Sequence, residues 1–208
     1  MIPEQAKQFA STCCQAFGER ISSVILVGSF ARGDQRPSSD IDLVVFVDVV
    51  DRVLLDDIGG IVESIETPNE INPAVISLSE LSAFPDMFDW LAIKHDGIPV
   101  FGKMPDTVGG QTELDRAKQI AQEVLMSARH YLAVREPAEN FVGGKLRHWN
   151  LKPLSFAVRF FEFHKSGRYL RSANEIAELY PVLSLDPASD YRQIIDNCID
   201  ICEEILGA

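Results

Sequence analysis

Two short apolar runs, residues 24–27 (VILV) and residues 41–47 (IDLVVFV), constrain this chain more than any other feature. Branched side chains suit a pleated surface, and runs this apolar need cover on both faces, so both are predicted to be buried, neighbouring strands. Between them stand Gly28-Ser29 and, just ahead of and inside the second run, Asp40 and Asp42. Alternation along a strand puts Asp40 and Asp42 on one face and Ile41 and Leu43 on the other. Two carboxylates therefore converge at one strand edge beside an apolar core.

Like charges held side by side repel, so the arrangement asks for a positive charge between them. Hard oxygen ligands favour Mg²⁺, which completes its octahedron with water and substrate phosphates. Gly28 lets the backbone pass close to a ligand, and Ser29 is expected to cap a short helix starting at Phe30 or Ala31. Exposed N–H groups there would attract phosphate. Metal, phosphate and carboxylates are thus expected at one point.

Gly28-Ser29, ten residues, then Asp40-Ile41-Asp42, with Ala31-Arg32-Gly33 and Ser39 between them, resembles the signature of the minimal nucleotidyltransferases of the DNA polymerase β superfamily. These include kanamycin nucleotidyltransferase-like enzymes and antitoxin-like proteins. The resemblance implies transfer of a nucleoside monophosphate, AMP from ATP being the expected case, to a hydroxyl acceptor, with one or two Mg²⁺ ions. It implies Asp40 and Asp42 as catalytic metal ligands, and Gly28, Ser29, Arg32 and Ser39 as nucleotide contacts. Arg36 reads as a solvated loop residue. The family also carries a third carboxylate on the next strand, to complete the second metal and accept the acceptor's proton. Here that strand reads NEINPAVISLSE, and Glu70 is the acid near its start; Asn72 shares its parity without its charge.

The rest of this half supports a small α/β fold. Residues 3–17 read as a helix with Pro3 at its opening and Gly18 at its close. Asp51 caps a second helix through about Glu66, with Gly59-Gly60 inviting a kink. Residues 71–78 form a third strand, in which Pro73 predicts an edge position or a bulge. Residues 86–95 read as a short helix, followed by a final strand at 97–101, and IKHDGIPVFG resembles the closing segment of nucleotidyltransferase domains. His95 reads as a loop histidine.

Linker composition at residues 102–112 divides the chain into domains at 1–104 and 112–208. Beyond it the apolar period becomes helical, with four stripes marked by Val124, Phe161, Ile176 and Cys198, so an up-down bundle is predicted. This half resembles HEPN-like helical domains, on residues 153–179. Arg159 and His164 have the spacing of the HEPN ribonuclease pair but fall in the earlier helix, and are read as surface residues. Within EPAENFVGGKLRHWN, the kanamycin-type resemblance makes Glu139 a candidate general base and Lys145 a phosphate contact, with a homodimer as a candidate assembly.

Of 208 residues, 46% are apolar and 24% charged, which is ordinary globular composition. The net charge of −12 argues against broad binding to nucleic acid, leaving a nucleoside triphosphate and a small or protein acceptor as expected partners. No apolar run reaches the roughly 18 residues that span a bilayer, and MIPEQAKQF lacks a basic start, so a cytoplasmic setting without a membrane is expected. Cys13, Cys14, Cys198 and Cys202 have no zinc-site spacing and read as packing residues. Two further classes stay open: a non-catalytic, nucleotide-binding regulator of antitoxin type, and an RNA-directed nuclease.

Overall fold

The computed structural model describes residues 2–84, 90–106, 110–134, 150–184 and 191–208. The chain divides into two compact units, Met1–Gly110 and Gln111–Ala208. No helix among the described residues is long and apolar enough to cross a membrane.

The first unit runs α1 (Glu4–Phe17), β1 (Ile21–Leu26), α2 (Gly28–Arg32), β2 (Ile41–Val47), α3 (Arg52–Ser64), β3 (Ile71–Ser77), α4 (Leu78–Ala83), α5 (Trp90–Asp96) and β4 (Ile98–Gly102). Its four strands form one mixed sheet in the order β3-β2-β1-β4. β1 lies antiparallel to β2 and β4, while β2 and β3 are parallel. A parallel pair needs a crossover rather than a tight turn, and α3 supplies it.

Both faces of β2 are covered, as its near-continuous apolar run demands. Leu43, Val45 and Val47 pack with Phe9, Leu54 and Ile58 on one face. Val44 and Phe46 pack with Leu81, Trp90 and Ile93 on the other. The Phe46 and Trp90 rings meet edge to face, 6.3 Å apart. Asp42 shares the parity of Val44 and Phe46, so it lies on the face that α4 and α5 cover further along the strand.

Several element ends differ from the sequence reading. β1 starts at Ile21 instead of Val24, because its ladder with β2 and β4 continues through Ser23, a polar but buried residue. β3 stops at Ser77, whose hydroxyl accepts from the Glu80 N–H while the Glu80 carboxylate accepts from the Ser77 N–H; this capping box starts α4 at Leu78. Asp51 caps α3 as expected, accepting from the Leu54 N–H, and the helix runs through Gly59-Gly60 to Ser64. Pro73 sits on an edge strand in a register without a shift, so the edge alternative holds and the bulge does not.

The second unit is helical: α6 (Glu113–Val134), α7 (Lys152–Ser166), α8 (Ala173–Leu179) and α9 (Tyr191–Gly207), with a 3₁₀ turn at Pro181–Ser184. α6 packs against both α7 and α9. All four cysteines are free; Cys13, Cys198 and Cys202 are buried, and burial pushes each of these three thiols up to about 12.

Arg159 corrects the sequence reading. It is buried at 3% exposure, and its guanidinium donates to the carbonyls of Leu170 and Arg171, holding the chain that follows α7; His164 is exposed. The pattern misled because a lone Arg among apolar residues reads as a surface position unless its carbonyl partners are known. Glu136, Glu139, Lys145, His148 and Trp149 lie outside the described residues.

Ser172 and Glu175 form a second capping box, at the start of α8. The Ser172 N–H, together with the Arg168 guanidinium, pulls the Glu175 carboxyl from an ordinary 4.5 to about 2. A lowered carboxyl contributes stability that is complete above its unfolded value and is lost as pH falls through its folded value. The melting temperature should therefore fall more steeply between about pH 4.5 and 2 in the native protein than in Glu175→Gln, as circular dichroism across a pH series would show.

Candidate functional site

The site forms where β1 turns into α2 against the start of β2. The Val27 N–H donates to the Asp42 carbonyl at 2.9 Å, which extends the β1–β2 contact into the turn. Gly28 then adopts φ +70°, and a Cβ placed there would lie 2.2 Å from Asp42 Oδ2. Only a residue with no side chain brings the main chain this close to that carboxylate. The other oxygen, Asp42 Oδ1, accepts from the Asn72 amide at 3.1 Å. Asp42 is thus held between a bare backbone on one side and an amide donor on the other.

α2 begins at Gly28, ahead of the Phe30 or Ala31 start that the sequence suggested, so Ser29 lies inside the helix and is not its cap; Val27 takes the cap position without a side-chain bond. The helix closes at Gly33, φ +81°, whose N–H donates to the Ser29 carbonyl at 2.9 Å, with the Asp34 N–H on the same oxygen at 3.1 Å. Arg32 does not stand open toward a phosphate: its guanidinium reaches Asp96 Oδ2 at 3.3 Å and Asp34 Oδ2 at 3.4 Å. Its reach across α2 brings it to these acids, neither of which spacing alone marks as a partner.

The loop from Gly33 to Asp40 is closed by its own hydrogen bonds. Ser39 Oγ accepts from the Arg36 N–H at 2.8 Å, and the Ser39 N–H returns to the Arg36 carbonyl at 2.9 Å. The Asn69 amide donates to the carbonyls of Pro37 and Ser39, at 3.0 and 2.9 Å. Arg36 is exposed, as the sequence suggested. On the far side of Asp40, the Ile41 N–H donates to the Glu70 carbonyl at 2.7 Å. Asp40 is therefore delivered by a backbone fixed at both neighbours, while its own carboxylate is exposed.

Ile41 pairs with Ile71 and Asp42 with Asn72, so Glu70, exposed and one step ahead of the paired residues, flanks Asp40. The side chain directly across from Asp42 is the neutral amide of Asn72. Among the described residues, no group of three or more His, Cys, Asp and Glu side chains forms a metal cage. Magnesium sites seldom need one, since one or two carboxylates and substrate phosphates suffice. The donor set present, hard carboxylate oxygens with Asp42 fixed in place, fits that ion.

Sequence reasoning missed Asn69, Asp34 and Asp96. Asn69 opens the segment quoted for the third strand, and its bonds to Pro37 and Ser39 depend on β3 lying beside β2.

Residues 6–96 match the family model of the nucleotidyltransferase domain. The match runs from α1 to the last residue of α5, less than half of the chain, and supports placing the first unit in the nucleotidyltransferase superfamily. It contains Gly28, Ser29, Asp40, Asp42, Glu70 and Asp96. A comparison with curated proteins found no match. In this nucleotidyltransferase-like unit the matched span begins within α1 and takes in β1, α2, β2, α3, β3, α4 and α5, and β4 lies beyond it.

Gly28 and Gly33 offer a paired test. Both have positive φ, so alanine at either should cost on the order of 1 kcal/mol or more. Only at Gly28 does the new methyl meet Asp42, since space around Gly33 is open. Gly28→Ala should therefore lower the melting temperature more than Gly33→Ala, whose methyl strains the backbone and meets nothing; thermal melts of both variants followed by circular dichroism check this.

Proposed function

We propose that this protein is a Mg²⁺-dependent nucleotidyltransferase that moves a nucleoside monophosphate, AMP from ATP, onto a hydroxyl of a small molecule or a protein side chain. The observation that carries the reading is the fit of Gly28 against Asp42, whose carboxylate is braced from behind by Asn72. In this reading Asp40 and Asp42 hold the metal, and Gly28 and Ser29 meet the β and γ phosphates. Arg32 and Ser39 serve the nucleotide by shaping the two ends of the loop, given the partners they already have. Bound Mg²⁺ supplies charge neutralisation across the phosphates.

The acceptor oxygen bonds to the α phosphorus as the bond to the bridging oxygen of the β phosphate breaks, and pyrophosphate leaves in line. Glu70, beside Asp40 and exposed, takes the proton from the acceptor hydroxyl. The fixed backbone around Asp40 and Asp42 spares the site reorganisation during the step. The second unit is proposed as a HEPN-like bundle, and the protein as a cytoplasmic homodimer.

One observation favours a second reading. The residue facing Asp42 across the strand pair is an amide and not an acid, which suits a nucleotide-binding regulator of antitoxin type that does not turn over. An RNA nuclease is disfavoured, because the Arg159 guanidinium is spent on buried carbonyls.

The two readings separate on incubation with Mg²⁺ and α-labelled ATP beside a panel of hydroxylated small molecules and tyrosine peptides. The enzyme reading expects pyrophosphate release and label transfer, reduced at least about a hundredfold in Asp40→Asn and in Asp42→Asn. Tight binding of magnesium ATP with no release across the panel would favour the regulator.

A further inference from the structure

We infer that Asp96 is a positioning residue of the nucleotide site: through Arg32 it clamps the end of α2 so that Gly28 keeps its close approach to Asp42. The inference deepens the proposed function and rests on it for what the site binds. Its structural half stands on the ion pair itself.

Asp96 is the last residue of α5, and its side chain is only 3% exposed, with Arg32 at 14%. Taking such a pair out of water costs desolvation that its attraction scarcely repays, so net stability is a poor reason for it to exist. Fixing one arrangement is a better one. The pair joins segments 64 residues apart, at the ends of two short helices. α2 has five residues and buries Ala31 alone, with Phe30 packed at the margin of the core. Little apolar contact therefore holds α2, and the Arg32 contacts to Asp96 and Asp34 supply what packing does not.

The other end of this helix is Gly28. There the clearance to Asp42 Oδ2 is so small that even a methyl group is excluded, so a shift of a few tenths of an ångström changes where that carboxylate lies. A loosened α2 would move the turn and the carboxylate together. Arg32 is then a strut between Asp96 and the turn rather than a hand on the phosphates.

Equilibrium binding of magnesium ATP to Asp96→Asn, Arg32→Gln and the double variant tests this. A strut predicts that each single change weakens binding about tenfold and that the double variant is no weaker than either, since both remove one shared device. Asp96→Asn binding as the wild type does, or losses that multiply in the double variant, would overturn it, and the second pattern would return Arg32 to the phosphates. A second readout needs no nucleotide. The Gly33 and Asp34 amides, both bonded to the Ser29 carbonyl, should exchange at least tenfold faster in Asp96→Asn, with amides of β1 and β2 unchanged. Equal acceleration in the sheet, or none at Gly33, would contradict the clamp. If wild-type protein binds no magnesium ATP, the proposed function falls and exchange alone decides the clamp. Should Asp96→Asn fail to fold, Arg32→Lys puts the same question with the charge kept and the fork removed.

Discussion

The first unit is built around one steric fact: the main chain at Gly28 occupies the space beside Asp42 Oδ2 where any side chain would collide. A carboxylate so placed is fixed in position, and its second oxygen is met by an amide donor from Asn72. Most of the surrounding architecture can be traced to keeping that approach. The Val27 N–H ties the turn to Asp42 itself, the antiparallel β1–β2 ladder sets the distance between the strands, and parallel pairing with β3 brings Asn72 opposite.

The sheet can hold these groups because it is anchored on both sides. Phe9, Leu54 and Ile58 cover one face of β2, and Leu81, Trp90 and Ile93 cover the other. Burial of several large apolar side chains per face, at roughly 1.5–3 kcal/mol each, holds the strand whose end carries the two aspartates. Acidic chemistry sits at the margin of the core and not within it: Asp40 is exposed and Asp42 half-buried. Such a layout leaves the carboxylates open to solvent while the strands behind them are buried.

Much of this was readable in the sequence. The β-branched runs foretold β1 and β2, Asp51 the start of α3, and Pro73 an edge strand, because each rests on local chemistry. What could not be read depends on partners distant in sequence. Asn72 faces Asp42 only through a parallel register that no local pattern encodes. Asp96 meets Arg32 across 64 residues, and Arg159 finds its carbonyls in a segment beyond the end of its own helix. Ser29 was misassigned as a cap because the helix starts at Gly28, with a positive φ that sequence does not announce. For the candidate site, the proximity of Gly28 to Asp42 could be anticipated from spacing; the engagement of Arg32 and Ser39 by other groups could not.

The central claim is that Asp40 and Asp42, opposite the Gly28 turn, hold a divalent cation with a triphosphate. Its most direct test is a titration of ¹⁵N-labelled protein with Mn²⁺, as a paramagnetic stand-in for Mg²⁺, in the presence of a non-hydrolysable ATP analogue. The account predicts that amide signals of Gly28, Ser29, Ile41 and Asp42 broaden first, at substoichiometric metal, and recover on adding excess Mg²⁺. Broadening centred on another part of the chain, or spread evenly over its acidic surface, would contradict it.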